Sequence, residues 1–404
     1  MTIRMDEGAA ELLDTLHGAG YAAYVVGGCV RDSLLGLTPH DWDLCTSALP
    51  QQGMELFGEE KCIPTGLQHG TVTVKQGGGL YEITTFRTEG TYTDGRHPDE
   101  VHFVPDVRED LARRDFTINA MAYNAKEGLV DPFGGQADLQ SGILRAVGVP
   151  HQRFTEDALR ILRLYRFAAR FGFSIDPPTA QAAQELCAHL DCVSVERIEE
   201  ELAKLLSAPA PAAYLDEKIL GVVLPELSPE ELAAAKPVVD ACPAGEQALP
   251  VRLAALLLSL GEDGTRRTLR RLRCSNACIE ETAVLVREVV SGVPVSLNIY
   301  TRKLLGQYGL KTVQRLAALG TALQPERSAD FAALSELAEQ LDADGVCCRV
   351  SQLAVNGRDL MAAGVPAGPG IRKVLEALLD GVIREEYPNE RQALLAAVQQ
   401  LAAS

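Results

Sequence analysis

The chain has 404 residues, of which 47% are hydrophobic, so it is long enough to bury a core in about two to four domains. A net charge of −17 argues against a general nucleic-acid binder but allows a local basic surface. No apolar run reaches the roughly eighteen residues of a membrane span. Residues 1–20 lack a secretory signal pattern, and the ten scattered cysteines indicate reduced thiols, so a cytoplasmic protein is expected.

Residues 1–150 alternate short apolar runs with turns, which predicts an α/β or α+β region with a small sheet. YAAYVVGG predicts a strand that runs into glycines, and DWDLCT predicts a second strand. HGTVTVKQ and LYEITTFR predict two more strands, joined by a hairpin turn at Gly77–Gly79. From about residue 153, strand signals nearly vanish and leucine and alanine recur at helical spacing, so the remainder is expected to be helical.

A glycine pair and an arginine follow the first predicted strand. Gly27 and Gly28 precede a helix predicted at Val30–Leu35, and glycines let the backbone approach a phosphate closely at a helix N-terminus. Arg31, in the first turn, adds a guanidinium suited to phosphate oxygens. A glycine pair before a helix more often serves packing, so this segment alone is a weak indication of a phosphate site.

Asp41 and Asp43 flank Trp42 in the second predicted strand. Residues two apart in a strand share a face, so both carboxylates point one way while Trp42 and Leu44 point into the core. Paired carboxylates suit Mg²⁺ held together with substrate phosphates, although solvated aspartates on an edge strand are the alternative. Together with the glycine loop, they favour the layout of nucleotidyl transfer. Glu82, on a neighbouring strand, is either a third carboxylate of this site or a surface residue.

Two later segments carry further candidates. In RRDFTINAM, Arg114 can reach a phosphate or a base and Asp115 can accept a ribose hydroxyl, or else Asp115 and Thr117 cap a helix start. A helix predicted from Thr155 carries four ionisable residues at intervals of three: Asp157, Arg160, Arg163 and Arg166. Since residues three apart are neighbours on a helix, they form either an exposed face with an Asp–Arg ion pair or a nucleotide-selecting face.

The nucleotide-selecting interpretation has a chemical basis. A carboxylate only accepts hydrogen bonds, and a guanidinium only donates them. Cytosine and adenine present an amino donor beside a ring-nitrogen acceptor, whereas uracil and guanine present a carbonyl acceptor beside an N–H donor. Asp157 and Arg160 together would therefore pair with C and A and clash with U and G.

The segment GGCVRDSLLGLTPHDWDLCT resembles the signature of the nucleotidyltransferase superfamily that contains the class II CCA-adding enzymes and bacterial poly(A) polymerases. LARRDFTINAMAY is similar to the ribose-recognising motif of that family, and VDPFGGQADL to the hinge between head and neck. TEDALRILRLYRFAARFGF resembles the nucleotide-selecting helix, and VERIEEELAKLL the helix that buttresses it. The resemblance is strong over about residues 20–206 and weaker beyond, where GRDLMAAGVPAGPGI is similar to a C-terminal module of bacterial CCA-adding enzymes.

The resemblance implies an α+β fold: a polymerase-β-like nucleotidyltransferase head with a small mixed sheet, then an all-α neck, body and tail. The expected ranges are 1–147, 148–206, 207–330 and 331–404. It implies catalytic carboxylates at Asp41, Asp43 and Glu82, with Mg²⁺ on Asp41 and Asp43. The implied nucleotide-binding residues are Gly28, Arg31, Arg114, Asp115, Asp157, Arg160, Arg163 and Arg166.

The implied activity is Mg²⁺-dependent addition or repair of the 3′-terminal CCA of tRNA from CTP and ATP. The polar segment Arg87–Phe103 is expected to be a mobile loop, which in the family is needed for the final A, with Arg87 and Arg96 as candidate contacts. VRLAALLLSLGED has no histidine where many relatives carry an HD phosphohydrolase domain, so no phosphodiesterase or phosphatase activity is expected. The alternatives are an A-adding or CC-adding enzyme, a poly(A) polymerase, and an inactive RNA-binding homologue.

RRTLRRLR concentrates positive charge in the predicted body, while Leu269 and Leu272 are predicted to face inward. Such a surface could hold the tRNA backbone, and a solvated amphipathic face is an equal alternative. The tRNA-binding candidates are Arg266, Arg267, Arg270, Arg271 and Arg273, with Arg302, Lys303, Lys311 and Arg315 as a continuation.

Overall fold

The structure is a computed structural model that describes residues 3–90, 101–292 and 297–401. The chain forms two compact units, Met1–Pro229 and Glu230–Ser404. The first unit contains the sheet and the helices that follow it. In the second unit, the described residues form helices and turns. The α+β class with a helical remainder is confirmed, whereas the finer division into head, neck, body and tail stays a prediction.

The sheet is small and mixed, as predicted. The strands are β1 (Ala23–Val26), β2 (Leu44–Thr46), β3 (Cys62–Gly66), β4 (Thr71–Gln76), β5 (Gly79–Thr85), β6 (Arg87–Glu89), β7 (Val101–Phe103), β8 (Ala122–Asn124), β9 (Gly128–Val130), β10 (Ile143–Leu144) and β11 (Ser174–Ile175). Among the described residues, seven of them form one sheet in the order β3-β4-β5-β2-β1-β8-β9. Strands β2 and β5 run parallel, and the other neighbours in this sheet run antiparallel.

The most apolar strand lies near the middle of the sheet. All four residues of β1 are buried, and β1 pairs with β2 on one side and β8 on the other. The predicted hairpin is confirmed, since β4 and β5 are joined at Gly77 and Gly78, with φ of 56° and 86°. A tight hairpin turn of this kind needs positive φ at both central residues, which glycine adopts without strain.

The helices of the first unit cover the sheet and then continue beyond it. They are α1 (Glu7–Gly18), α2 (Gly28–Leu34), α3 (Pro50–Phe57), α4 (Val107–Ala112), α5 (Gly135–Ser141), α6 (Pro150–Glu156), α7 (Leu159–Phe171), α8 (Pro177–Leu186), α9 (Val195–Leu206) and α10 (Glu217–Val223). One core cluster joins Tyr24 and Val26 of β1 to Cys45 of β2 and Leu111 of α4. This packing fixes β1 and β2, whose ends carry the predicted phosphate and metal residues.

The single helix predicted from Thr155 is wrong, because the chain breaks at Asp157. Helix α6 ends at Glu156, and Asp157 adopts extended φ and ψ of −145° and 104°. Its carboxylate accepts the backbone N–H of Leu159 at 3.0 Å. Aspartate favours this position at a helix start because its short side chain satisfies a backbone N–H that has no helical partner. Asp157 therefore lies ahead of α7 rather than on it.

Helix α5 packs tightly against the short 3-10 turn Thr117–Asn119. A Cβ on Gly135 would lie 2.1 Å from the backbone oxygen of Thr117, so only glycine fits there. Asp131 accepts the backbone N–H groups of Gly135 and Gln136 at 2.7 and 2.9 Å. The segment that resembles a hinge is thus a capped helix start against the ribose-motif turn.

The second unit is built from paired helices. They are α11 (Pro229–Ala241), α12 (Leu249–Leu256), α13 (Gly261–Arg271), α14 (Asn276–Ser291), α15 (Leu297–Tyr308), α16 (Leu310–Leu323), α17 (Ser328–Ala343), α18 (Gly357–Ala362), α19 (Gly370–Ile383) and α20 (Arg391–Leu401). The last three close around a small core of their own that includes Leu360, Leu378 and Leu394.

The structure bears on two features of the whole chain, which are membrane-spanning helices and disulfide bonds. None of the helices in the described ranges combines the length and the apolar composition needed to cross a membrane. All ten cysteines lie in the described residues, and each is a free thiol.

Candidate active site

Strand β1 leads into α2 through a glycine that no other residue could replace easily. Gly27 caps α2 with φ of 77°, and its N–H bonds the Met121 carbonyl at 3.0 Å. A Cβ on Gly27 would lie 2.9 Å from Nη1 of Arg114. Helix α2 begins at Gly28, two positions earlier than predicted. The N–H groups at this helix start and the Arg114 guanidinium therefore border the same space, as a phosphate site requires.

Arg114 has unused hydrogen-bonding capacity beside this loop. Its Nη2 donates to Asp110 at 3.3 Å. Its Nε is buried and has no hydrogen-bond partner among the described residues. A buried N–H without a partner is costly, so an anion at this point would stabilise the site.

The predicted placement of the two aspartates within a strand is wrong, since β2 begins at Leu44. Val26 bonds the Asp43 carbonyl at 2.9 Å, but the partner strand β1 ends there and the chain turns at Gly27. Asp41 and Trp42 therefore have no strand beside them on that side among the described residues. Leu44 is buried as expected, whereas Trp42 is only half-buried and lines a surface cavity.

The carboxylates of Asp41 and Glu82 act electrostatically on the carboxylate of Asp43. Desolvation raises the pKa of Asp43, Arg114 lowers it, and the negative charges of Glu82 and Asp41 raise it again. Glu82 is brought there by the parallel register, which pairs Leu44 with Ile83 and so puts the preceding residues side by side. A divalent cation would remove this repulsion.

These carboxylates fit a divalent cation whose coordination is completed by substrate. The described residues contain no group of three His, Cys, Asp or Glu side chains arranged to hold a metal by themselves. Mg²⁺ is commonly held by only one or two carboxylates together with water and substrate phosphates. The donor set of hard oxygens beside an anion-binding helix start is of that type.

Asp115 lies inside a dense hydrogen-bond network. Its Oδ1 accepts from the Phe116 N–H at 2.8 Å and from Asn119 Nδ2 at 3.1 Å. Its Oδ2 accepts from Nε and Nη2 of Arg163 at 2.9 and 2.6 Å. Burial alone would raise the pKa of Asp115, but Arg163 and Asn119 outweigh it and hold that pKa well below its usual range. A ribose hydroxyl would share or replace one of these bonds, so ribose binding by Asp115 stays a prediction.

Asp157 and Arg160 are held by different partners, not by each other. Arg197 of α9 donates two hydrogen bonds to the Asp157 carboxylate, at 2.7 and 3.3 Å. Arg160 donates to Glu156 at 2.9 Å and to the backbone oxygens of Arg113 and Arg153 at 3.0 and 3.3 Å. The alternative of an Asp157–Arg160 ion pair is therefore wrong.

Arg163 and Arg166 lie on α7 as predicted, with Arg166 buried and Arg163 half-buried. Arg166 approaches Glu201 at 2.5 Å, and Arg163 approaches the same carboxylate at 3.7 Å. Sequence reasoning did not single out Arg197 and Glu201, although both stand in the segment that resembles the buttressing helix. Their spacing of four, which puts them on one helix face, was the available signal.

Arg31 borders the glycine loop and is also bound by protein groups. Only 4% of the residue is exposed, its guanidinium bonds Asp32 and Asn119, and its Nη2 would lie 3.6 Å from a Cβ on Gly28. Gly28 is the first residue of α2, whereas the sequence predicted it ahead of the helix. Phosphate binding by these two residues stays a prediction.

The predicted mobile loop lies largely outside the described residues, and Arg96 lies there too. Its two ends form the antiparallel pair β6–β7. Arg87 begins this ladder, and its side chain donates to the His69 carbonyl.

Helix α13 presents most of its arginines outward. Leu269 and Leu272 are buried, as predicted, while Arg267 and Arg270 are exposed, as are Arg271 and Arg273. Arg266 is engaged by Glu262 at 3.0 Å and Glu280 at 2.5 Å. The four basic residues that were expected to extend this surface also form ion pairs or hydrogen bonds within the protein. The pairs are Arg302 with Glu385, Lys303 with Asp380, Lys311 with Gln247 and Arg315 with Glu281. A tRNA-binding role for the α13 arginines stays a prediction.

Three successive parts of the chain match models of known protein families. Residues 23–145 match the poly A polymerase head domain. Residues 172–230 match the RNA and SrmB-binding site of polymerase A. Residues 251–398 match tRNA nucleotidyltransferase domain 2.

Full-length relatives are found among curated proteins and solved structures. The CCA-adding enzyme of Lactiplantibacillus plantarum is 36% identical, over 96% of this chain and 95% of that protein. The CCA-adding enzyme of Geobacillus sp. (strain WCH70) is 38% identical, over 96% and 95%. The crystal structure of the Bacillus stearothermophilus CCA-adding enzyme in complex with CTP superposes with a TM-score of 0.85 at 33% identity, covering 99% of this chain and 98% of that one.

Gly27→Ala tests whether the loop needs the space that Arg114 occupies. We expect the variant to weaken binding of CTP with Mg²⁺ by about tenfold or more, because the added Cβ displaces a guanidinium from the phosphate site. Isothermal titration of the nucleotide into the folded protein measures this affinity. Gly36→Ala is the matched control, since Gly36 also has positive φ, 74°, but a Cβ there would meet no described atom within 4 Å. Equal affinities in both variants would contradict the assignment.

Proposed function

Because the chain belongs to the family of CCA-adding enzymes, we infer that it adds or repairs the 3′-terminal CCA of tRNA from CTP and ATP, releasing pyrophosphate. The observation that carries this function is the combination found in the first unit. A carboxylate pair, an anion-binding helix start and a base-reading pair of opposite hydrogen-bonding character all lie there. A pair that accepts C and A alike and rejects U and G matches CTP and ATP as the two substrates.

The reaction joins two substrates at one phosphorus. The oxygen of the tRNA 3′-hydroxyl forms a bond to the α-phosphorus of the nucleotide, and the bond from that phosphorus to pyrophosphate breaks. The hydroxyl proton passes to solvent. The N–H groups at the start of α2 and the Arg114 guanidinium are suited to hold the negatively charged triphosphate during this exchange.

Asp41 and Asp43 are the residues that would hold a divalent cation, and Glu82 adds negative charge beside them. When bound, such a cation lowers the pKa of the attacking hydroxyl and neutralises charge on the leaving pyrophosphate. Nucleotidyltransferases of this family generally use a divalent metal, and we propose Mg²⁺ because hard carboxylate and phosphate oxygens make up the donor set. The free thiols of all ten cysteines fit a reducing compartment, which supports a cytoplasmic enzyme.

The base is read by side chains whose orientation other residues fix. Arg197 holds the Asp157 carboxylate, and Glu156 together with two backbone carbonyls holds the Arg160 guanidinium. A guanidinium has five N–H groups, and the described residues engage three of those on Arg160, so donors remain for a nucleobase. This explains how a fixed sequence is added without a nucleic-acid template.

Purified protein and three tRNA transcripts test the function directly. The transcripts end before CCA, after C and after CC, and each is offered CTP, ATP or both with Mg²⁺. We expect two Cs and one A, followed by a stop, when products are sized at single-nucleotide resolution. Addition of A alone or of CC alone would assign a partial activity, and a long ladder of A would assign poly(A) synthesis instead.

Asp43→Asn tests the metal assignment. We expect nucleotide transfer to fall by about a thousandfold, because an amide removes one negative ligand where the cation supplies several kcal/mol of transition-state stabilisation. Binding of tRNA, measured by filter retention, is expected to persist. Asp191→Asn, which changes an exposed aspartate in the same unit, should keep full activity. Turnover of Asp43→Asn close to that of the control would show that the carboxylate holds no essential cation.

Asp157→Asn tests the base-reading pair. The amide keeps one acceptor oxygen but adds N–H donors, so it can also satisfy the carbonyl of uracil. We expect the preference for CTP over UTP, as a ratio of kcat/KM, to fall by about tenfold or more. An unchanged ratio, with the variant folded and active, would remove Asp157 from base selection.

A further inference from the structure

Helix α4 carries a buried carboxylate, Asp110, to which the reaction described above assigns no role. None of its side chain is exposed. Burial would raise the pKa of Asp110, but the charges of Arg113 and Arg114 outweigh it and lower that pKa. The carboxylate is therefore ionised inside the protein, where a charge is tolerated only when donors surround it.

Four hydrogen bonds converge on Asp110. Its Oδ1 accepts from Nε and Nη2 of Arg113 at 3.0 and 2.8 Å, and from the backbone N–H of Arg87 at 3.3 Å. Its Oδ2 accepts from Nη2 of Arg114 at 3.3 Å. Two consecutive arginines and the first residue of β6 therefore meet at one carboxylate.

The first of these contacts that concerns the nucleotide is the one to Arg114. Its Nη1 borders the glycine loop, since a Cβ on Gly27 would lie 2.9 Å from it. Its Nη2, on the same guanidinium, is held by Asp110. A planar guanidinium that is held at one nitrogen has its remaining N–H groups fixed in direction. Asp110 thus orients Arg114 beside the start of α2.

The second contact leads to the base-reading helix. The carbonyls of Ala112 and Arg113, at the end of α4, accept from Nη1 of Arg153 in α6 and from Nη2 of Arg160 in α7, each at 3.0 Å. The last carbonyls of a helix have no partner inside it, so donors from other elements complete them. Because the Arg113 side chain is bound to Asp110, the carbonyl that holds Arg160 is fixed by the same carboxylate.

We infer that Asp110 is a positioning residue for both ends of the nucleotide: it orients Arg114 toward the triphosphate and fixes the Arg113 carbonyl that holds Arg160. The inference rests on the proposed function, in which Arg114 and Arg160 meet the substrate. Both orientations depend on one carboxylate. Its loss is therefore expected to weaken triphosphate binding and base selection together, whereas looser packing elsewhere in a folded protein affects neither.

Asp110→Asn is the informative variant, because the amide keeps the size of the side chain, removes its charge and turns N–H donors toward the arginines. Isothermal titration measures the affinity for CTP with Mg²⁺. The CTP/UTP ratio of kcat/KM is measured in C addition to a transcript that ends before CCA. We expect the affinity and the ratio each to fall by about tenfold.

The inference requires both effects. If either the affinity or the ratio stays within about threefold of wild type, Asp110 does not serve both ends of the nucleotide and the inference is overturned. The wild-type chain is measured first, and its failure to add C would count against the proposed function rather than against Asp110.

Asp359→Asn is the matched control. Asp359 pairs with Arg391 at 2.6 Å, accepts the backbone N–H of Asn356 at 2.9 Å, and has only 12% of its side chain exposed. It is therefore another enclosed carboxylate bound by an arginine and a backbone N–H, in the second unit. We expect this variant to keep the wild-type affinity and ratio. Losses equal to those of Asp110→Asn would show a general effect and would overturn the inference.

Arg113→Lys decides the matter if Asp110→Asn does not fold. Lysine keeps a positive charge beside Asp110 but lacks the fork that donates through two N–H groups. A fall in both the CTP affinity and the CTP/UTP ratio supports the positioning role. A fall in neither, or in one alone, overturns it.

Discussion

The arginines on the inner face of α7 must each be matched by a carboxylate from another element, and the geometry of the candidate site depends on that pairing. Arg163 is held by Asp115 of the ribose motif, and Arg166 by Glu201 of α9. Removing one member of a buried pair costs about 3–5 kcal/mol, because an unmatched charge is left behind. The pairing therefore fixes α7 against both the sheet-containing region and α9. Rigid side chains of this kind are what a protein template requires, since a mobile donor would satisfy more than one base.

The two groups of carboxylates in the first unit differ in how far their charge is already neutralised. Asp115 accepts four hydrogen bonds, two of them from a guanidinium, and its pKa is depressed as a result. Asp43 has the opposite balance, because desolvation and the neighbouring charges of Glu82 and Asp41 raise its pKa more than Arg114 lowers it. The charge of Asp115 is thus balanced within the protein, whereas that of Asp43 is not. This contrast is what favours Asp43 over Asp115 for the proposed cation site.

Local sequence patterns correctly predicted those turns and helix starts that depend on interactions between residues close together in the chain. The β4–β5 hairpin follows from consecutive glycines between β-branched runs, and the helix start after Gly27 follows from a glycine pair after an apolar strand. Errors arose where partners distant in the chain decide the outcome. Whether Asp41 belongs to a strand depends on where β1 ends, and the bond from Arg197 to Asp157 spans forty residues. The packing of Phe167 and Phe171 against Arg31 also involves residues distant in the chain, and no sequence pattern shows it.

Selection of both C and A by one pair of side chains follows from what cytosine and adenine share. Each presents an amino donor beside a ring-nitrogen acceptor, so a carboxylate and a guanidinium side by side can satisfy either. The rings differ in size, which means that the distance from the base edge to the anchored triphosphate must differ between the two nucleotides. A base-reading pair that serves both nucleotides must therefore accept either distance while it keeps the same donor and acceptor pattern.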